Sequence, residues 1–150
     1  MLLAYRLPRE PSTPRIALWR RLRRLGAAQL LDGLVALPFT PDTREQLEWA
    51  AEEVLEAGGD ASVWIATPGT AAQERALVGR MTEAVAADYG AVIDAANKAA
   101  KRSKPASRRT VQQLRRTLHA IDTRDHFHPP RRELARRAVE DLAQKVEVAR

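Results

Sequence analysis

Asp32-Gly33 stands between two short apolar runs, Ala27-Ala28-Gln29-Leu30-Leu31 and Leu34-Val35-Ala36-Leu37-Pro38, and no other feature limits the fold as much. A two-residue Asp-Gly link between apolar runs predicts an antiparallel hairpin, because a type I′ turn needs positive φ at both central residues. The flanking segments must then be arranged around two adjacent strands. Upstream, Leu2 to Leu7 reads as a strand ended by Pro8, and the three prolines of residues 8–14 make a loop. Ser12 or Thr13 is expected to cap a helix that has Pro14 at its first position and is stopped by Gly26. Downstream, Thr40-Pro41 opens a second helix in which Leu47, Ala50, Ala51, Val54 and Leu55 recur at helical spacing. Gly58-Gly59 ends it, and Ala61 to Ala66 is a fourth strand. The order β-α-β-β-α-β over residues 2–66 predicts an α+β, ferredoxin-like antiparallel sheet with both helices on one face.

The remainder reads as helical. Thr70-Ala71-Ala72-Gln73 is a capping box before a long helix carrying Leu77, Val78, Met81, Val85, Tyr89, Val92 and Ala96 on one stripe. That helix is expected to fray over residues 101–105. Ser107 caps a further helix with Val111, Leu114, Leu118 and Ile121 at alternating 3-4 spacing. His126-Phe127-His128-Pro129-Pro130 breaks it, and a last helix covers Arg131 to Val148, with Leu134, Ala135, Ala138, Val139, Leu142 and Val146 apolar. The expected organisation is a ferredoxin-like domain over residues 1–68 and a helical extension of about three helices over residues 69–150, as one compact unit.

Charge falls in blocks: net +5 over residues 1–40, −7 over 41–100 and +8 over 101–150. Such blocks attract a polyanion or neutralise one another within a fold or a dimer. With no cysteine, disulfides and Cys-based metal sites are excluded. No stretch approaches the roughly 18 consecutive apolar residues of a membrane helix, and the first residues do not form a signal peptide, so a cytoplasmic protein without membrane contact is expected.

The first helix carries Arg15, Arg20, Arg21, Arg23 and Arg24 and no acid. A guanidinium presents a planar fork suited to phosphate oxygens. Four such phosphate contacts on duplex DNA give a log–log salt slope of roughly −3.6. The competing reading pairs these arginines with Glu45, Glu48, Glu52, Glu53 and Glu56 of the second helix. A second basic cluster, Lys101, Arg102, Lys104, Arg108, Arg109, Arg115 and Arg116, reads either as another phosphate-contacting surface or as a solvated loop and helix start. Trp19, Trp49 and Trp64 fall on expected core positions, which leaves no stacking platform for single strands. His119, Asp122, Asp125, His126 and His128 lack a recognised zinc spacing, and no metal or other cofactor is expected. No enzyme motif is present: there is no phosphate-binding glycine loop and no nucleophile elbow, and Glu10 stands alone near the first strand, a poor basis for two-metal nuclease chemistry.

Residues 5–27 (YRLPREPSTPRIALWRRLRRLGA), 29–38 (QLLDGLVALP) and 44–49 (REQLEW) together resemble the N-terminal domain of ChrB-type chromate-resistance regulatory proteins, and residues 124–127 (RDHF) resemble that family's Arg-Asp-Phe-Phe signature. The resemblance covers nearly the whole chain. It implies a regulatory role in chromate resistance, through transcription, and no active site. Full-length members are expected to carry a further C-terminal domain associated with chromate response, which this sequence does not include. Residues 101–116 depart from the pattern, being basic where the family is expected to be acidic. The expected function is a non-enzymatic DNA-binding module, dimeric, working with a separate sensor protein. The alternative is a protein-interaction or dimerisation module without nucleic acid.

Overall fold

A computed structural model describes residues 1–102 and 106–148. In chain order the elements are β1 (Leu2–Arg6), α1 (Thr13–Arg24), β2 (Ala28–Leu31), β3 (Leu34–Ala36), α2 (Pro41–Glu56), β4 (Asp60–Trp64), α3 (Ala71–Ala100), α4 (Arg108–Asp122) and α5 (Arg131–Val148). Ser103, Lys104 and Pro105, where the long helix was expected to fray, lie outside the described residues. The fold is α+β, and its contacts divide it into two compact units, Met1–Leu77 and Val78–Arg150.

The first unit is a four-stranded antiparallel sheet in the order β2-β3-β1-β4. Strand parity sorts its side chains. Leu3 and Val35 are buried with Leu18 and Leu22 of α1 and Leu47, Ala50 and Val54 of α2, and Tyr5, Ala61 and Val63 pack against the same cluster. The hairpin forms at Asp32-Gly33, but its turn is not type I′. Gly33 alone has positive φ (+73°), while Asp32 does not. A register irregularity between Gln29 and Leu31 supplies the local twist instead. Gly33 is obligatory here: its carbonyl accepts from the Tyr5 amide at 2.7 Å, and a Cβ would lie 2.2 Å from the Tyr5 carbonyl oxygen.

Caps follow the sequence unevenly. The Thr40 hydroxyl accepts from the Thr43 amide at 3.1 Å, and the Thr43 hydroxyl accepts in return from the Thr40 amide. Thr70 accepts from the Gln73 amide, and Ser107 from the Thr110 amide. Ser12 is the N-cap of α1 by position, yet its side chain makes no capping bond, because its backbone is already helical.

The second unit buries Val85, Tyr89, Val92 and Ala96 of α3 with Val111, Leu114, Leu118 and Ile121 of α4 and Ala135, Val139, Leu142 and Ala143 of α5. Leu55 and Leu134, expected on apolar faces, are exposed. So are all three tryptophans, which corrects the expectation of a core role. Trp19 sits one residue round from Leu18, on the shoulder of a stripe only two leucines wide. Trp64 shares the outward parity of Asp60 and Ser62, and its indole N–H donates to the Ser62 hydroxyl at 2.8 Å. No helix among the described residues is long and apolar enough to cross a membrane.

Candidate nucleic-acid interface

Two helices break a rule the others keep. α2, α3 and α5 place Asp42, Glu74 and Glu133 in their first turns, where the positive end of the helix dipole favours a carboxylate. α1 and α4 have no acid there. Arg15 lies in the first turn of α1, and Arg108 and Arg109 open α4. Like charges at a helix N-terminus cost stability, so each helix presents an electropositive end that its own sequence does not neutralise.

On α1 the five arginines separate into two groups. Arg21, half-buried, reaches Glu53 of α2 at 2.6 Å, so the expected pairing with α2 is realised at this one position. Arg23 lies over the Trp19 ring, 4.9 Å from its centroid, a cation–π contact. Arg15, Arg20 and Arg24 are exposed and meet no carboxylate among the described residues. Glu48 is held by Arg44 at 2.8 Å within α2. The groove between α1 and α2, about 320 Å³, is lined by Leu7, Pro14, Leu18 and Val54 together with Glu53 and Glu56.

On α4, Arg115 pairs with Glu140 of α5 at 3.1 Å. Arg108, Arg109 and Arg116 are exposed with no carboxylate among the described residues. Lys101 and Arg102 are exposed just after α3, and Lys104 lies outside the described residues.

The end of α4 is a different environment. The Tyr89 hydroxyl stands 2.7 Å from Asp122 Oδ1 and 2.9 Å from Asp125 Oδ2. The Asp125 carboxylate is fully buried, and its Oδ1 accepts from the Phe127 and His128 amides at 3.1 and 2.8 Å. Arg132 and Arg136 donate to Asp122 at 3.0 and 2.9 Å, and Arg124 pairs with Asp88. Burial pushes the Asp122 carboxyl up, but hydrogen bonds from Arg136, Tyr89 and Arg132 outweigh it and bring the pKa down to about 2. Burial also works against ionisation of Asp125, and the His128 amide, Tyr89 and the Phe127 amide reverse that sign and hold it below its ordinary value. Burial and the two carboxylates push the Tyr89 phenol far above its usual range. His128 takes a left-handed backbone (φ +51°), which lets its amide turn onto Asp125.

The residues read as a loose histidine–aspartate cluster come together in part: His128 Nδ1 lies 3.3 Å from Asp125 Oδ2, while Asp122 turns to the arginines of α5. Asp122 and Asp125 are engaged by arginines, a tyrosine and backbone amides, while His119 is exposed on α4. No group of three or more metal-ligating side chains comes together among the described residues. The partners Tyr89, Arg132 and Arg136 escaped sequence reasoning. Their signal was Arg132 and Arg136 at i,i+4 on the helix following two aspartates at i,i+3, a spacing that puts both cations on one face.

The family described as "Protein ChrB, N-terminal" matches residues 15–104, more than half of the chain and including α1 from Arg15 onward. The chain belongs to this ChrB N-terminal family. Protein ChrB of Cupriavidus metallidurans is 38% identical over 88 residues, covering 55% of this chain and 26% of that protein. The chain thus aligns with about a quarter of the ChrB relative's length, and α4 and α5 lie beyond the ChrB family match. No solved structure matches the chain.

Proposed function

We propose that this chain is the non-enzymatic, DNA-contacting module of a regulator of chromate resistance, working in the cytoplasm. The family membership supports the regulatory context. One observation carries the DNA contact: Arg15, Arg20 and Arg24 on α1 and Arg108, Arg109 and Arg116 on α4 are exposed and unpaired among the described residues, in a chain with 19 acidic side chains. Unpaired guanidinium groups, three of them (Arg15, Arg108 and Arg109) at acid-free helix starts, suit phosphate oxygens. The β2-β3-β1-β4 order with α1 after β1 and α2 after β3 supports a ferredoxin-like reading of the first unit. The test is fluorescence anisotropy of a labelled mixed-sequence 25-bp duplex at several salt concentrations. The expected slope of log K against log salt is about −3 or steeper, and it flattens when the six arginines become alanine. Absence of retention at low salt, or an unchanged slope in the variant, removes the reading.

A second reading is a dimerisation module. It is favoured by the outward Trp64, which lies opposite Leu2 across the β1–β4 ladder, and by the exposed Trp19, Trp49 and Ile65. Sedimentation over a concentration series separates the two. Self-association that Trp64→Ser abolishes, with no duplex retained, establishes this second reading alone.

A further inference from the structure

The outer face of α4 carries more than charge. At 100° per residue, Arg109, Gln112, Arg116 and His119 fall within an arc of about 80°, nearly opposite the buried Val111, Leu114, Leu118 and Ile121. All four are exposed, as is the adjacent Gln113, and none has a side-chain partner among the described residues. From Arg108 to Ile121 the helix holds no acid. A merely solvated helix face gains from Glu–Lys pairs at i,i+4, whereas this one places Arg109 with Gln113 and Gln112 with Arg116. Its two leading arginines oppose the dipole as well. A local rule broken with no internal return points to an outside ligand.

We infer that α4 is a base-reading helix that lies in the major groove of double-stranded DNA, with Gln112, Gln113, Arg109 and Arg116 meeting base edges. This rests on the DNA-contacting reading above and adds sequence selection to it. The chemistry follows from the side chains. A glutamine amide can give and accept one hydrogen bond each with adenine N7 and N6, and a guanidinium can donate twice to guanine O6 and N7. The geometry is also suitable. Fifteen residues make a rod about 22 Å long, and the major groove, about 12 Å wide, admits one helix. The strongly apolar opposite face anchors α4 on α3 and α5, so its outer residues are presented from a packed support rather than from a loop.

The experiment is selection from a library of random 20-bp duplexes, using the 150-residue chain and its Gln112→Ala/Gln113→Ala variant. Both changes are neutral, exposed and favourable to helix, so the fold and the phosphate contacts persist. Circular dichroism and the salt slope on an unselected duplex confirm that for each protein. The parent is expected to enrich a short motif. The variant is expected to hold unselected duplex within twofold of the parent and to lose on the order of tenfold or more of its preference at one or two positions. A parent that binds duplex with a steep salt slope yet enriches no sequence overturns the inference and leaves the DNA-contacting reading standing. A variant that keeps the full motif does the same. Binding confined to RNA duplexes also overturns it, since the deep, narrow A-form major groove does not admit a helix. A parent that retains no duplex removes both.

Discussion

Arg136 and Arg116 lie on helices that pack together, and their electrostatic conditions are opposite. Arg136 donates to Asp122 at 2.9 Å and to Glu133 at 3.3 Å, while Arg116 meets no carboxylate among the described residues. α4 itself is divided in the same way. Its last turn and the bend beyond it hold Asp122 and Asp125 in a network with Tyr89, Arg132 and Arg136; its first three turns carry Arg108, Arg109 and Arg116, which meet no carboxylate among the described residues, beside Arg115, which reaches Glu140. The difference is one of placement and not of supply. Carboxylates gather where a chain reversal must be ordered and are sparse along the outward face of α4, where Arg115 alone of its arginines reaches one among the described residues. A cation that shapes the fold and a cation open to a ligand can thus be told apart by what each one touches.

The largest effect should come from breaking the closed side. Asp125→Ala removes a buried carboxylate that accepts from two backbone amides and stands 2.9 Å from the Tyr89 hydroxyl. Leaving those donors short of a partner is expected to cost about 3–5 kcal/mol in urea unfolding followed by circular dichroism. A loss below about 1 kcal/mol would mean that the bend is ordered by Pro129 and Pro130 rather than by the network.

The open side should respond in the other coordinate. With Arg108, Arg109 and Arg116 all changed to alanine, affinity at 0.1 M salt for an unselected duplex, on which all three guanidinium groups meet phosphates instead of base edges, is expected to fall on the order of a hundredfold and the salt slope to flatten by about 2.7. Stability should hold or rise by less than about 1 kcal/mol, because two charges opposing the α4 dipole are gone. A marked loss of stability without a change in binding would erase the distinction between the two sides.

How much of this was legible depended on whether the determining contact was local. The βαββαβ element order followed from Asp32-Gly33, the proline loop and helical periodicity, and all of these act over a few residues. Tryptophan exposure was misread because hydrophobicity does not say which shoulder of a helix or which parity of a strand faces the core. Trp64 is set outward only by the pairing of Leu3 with Val63 and of Leu2 with Trp64. The Arg21–Glu53 pair needed the α1–α2 crossing, and Tyr89 with Asp122 and Asp125 spans 33 and 36 positions, so neither shows as a short-range pattern. The arginines of α1 and α4 were legible as a group. Which of them are engaged was not, because that depends on the acids of neighbouring helices.

Acid should test the closed side more gently. Asp122 has its pKa brought down from 3.8 to about 2 in the folded state, so its contribution is complete above about 4 and is lost as pH falls toward 2. The midpoint of thermal unfolding should therefore fall between pH 4 and pH 2 by more in the parent than in Asp122→Asn, the difference amounting to about 1 kcal/mol. Equal profiles would mean that Arg132 and Arg136 hold Asp122 no better than solvent does.

The smallest effect sharpens the comparison most, because it is made within one helix. Arg21 and Glu53 are 27% and 43% exposed, and an ion pair that is partly solvated is worth less than about 1 kcal/mol, so Arg21→Ala should hardly move unfolding. Its value lies in the binding assay. If Glu53 keeps Arg21 engaged, Arg21→Ala leaves the salt slope where it was, while Arg20→Ala and Arg24→Ala each flatten it by about 0.9. Glu53→Gln then frees a guanidinium already held on the shoulder of α1, and the slope should steepen by up to the same amount. Equal losses for Arg20, Arg21 and Arg24 would show that a phosphate outcompetes Glu53, and engagement by a carboxylate would no longer separate the two kinds of arginine.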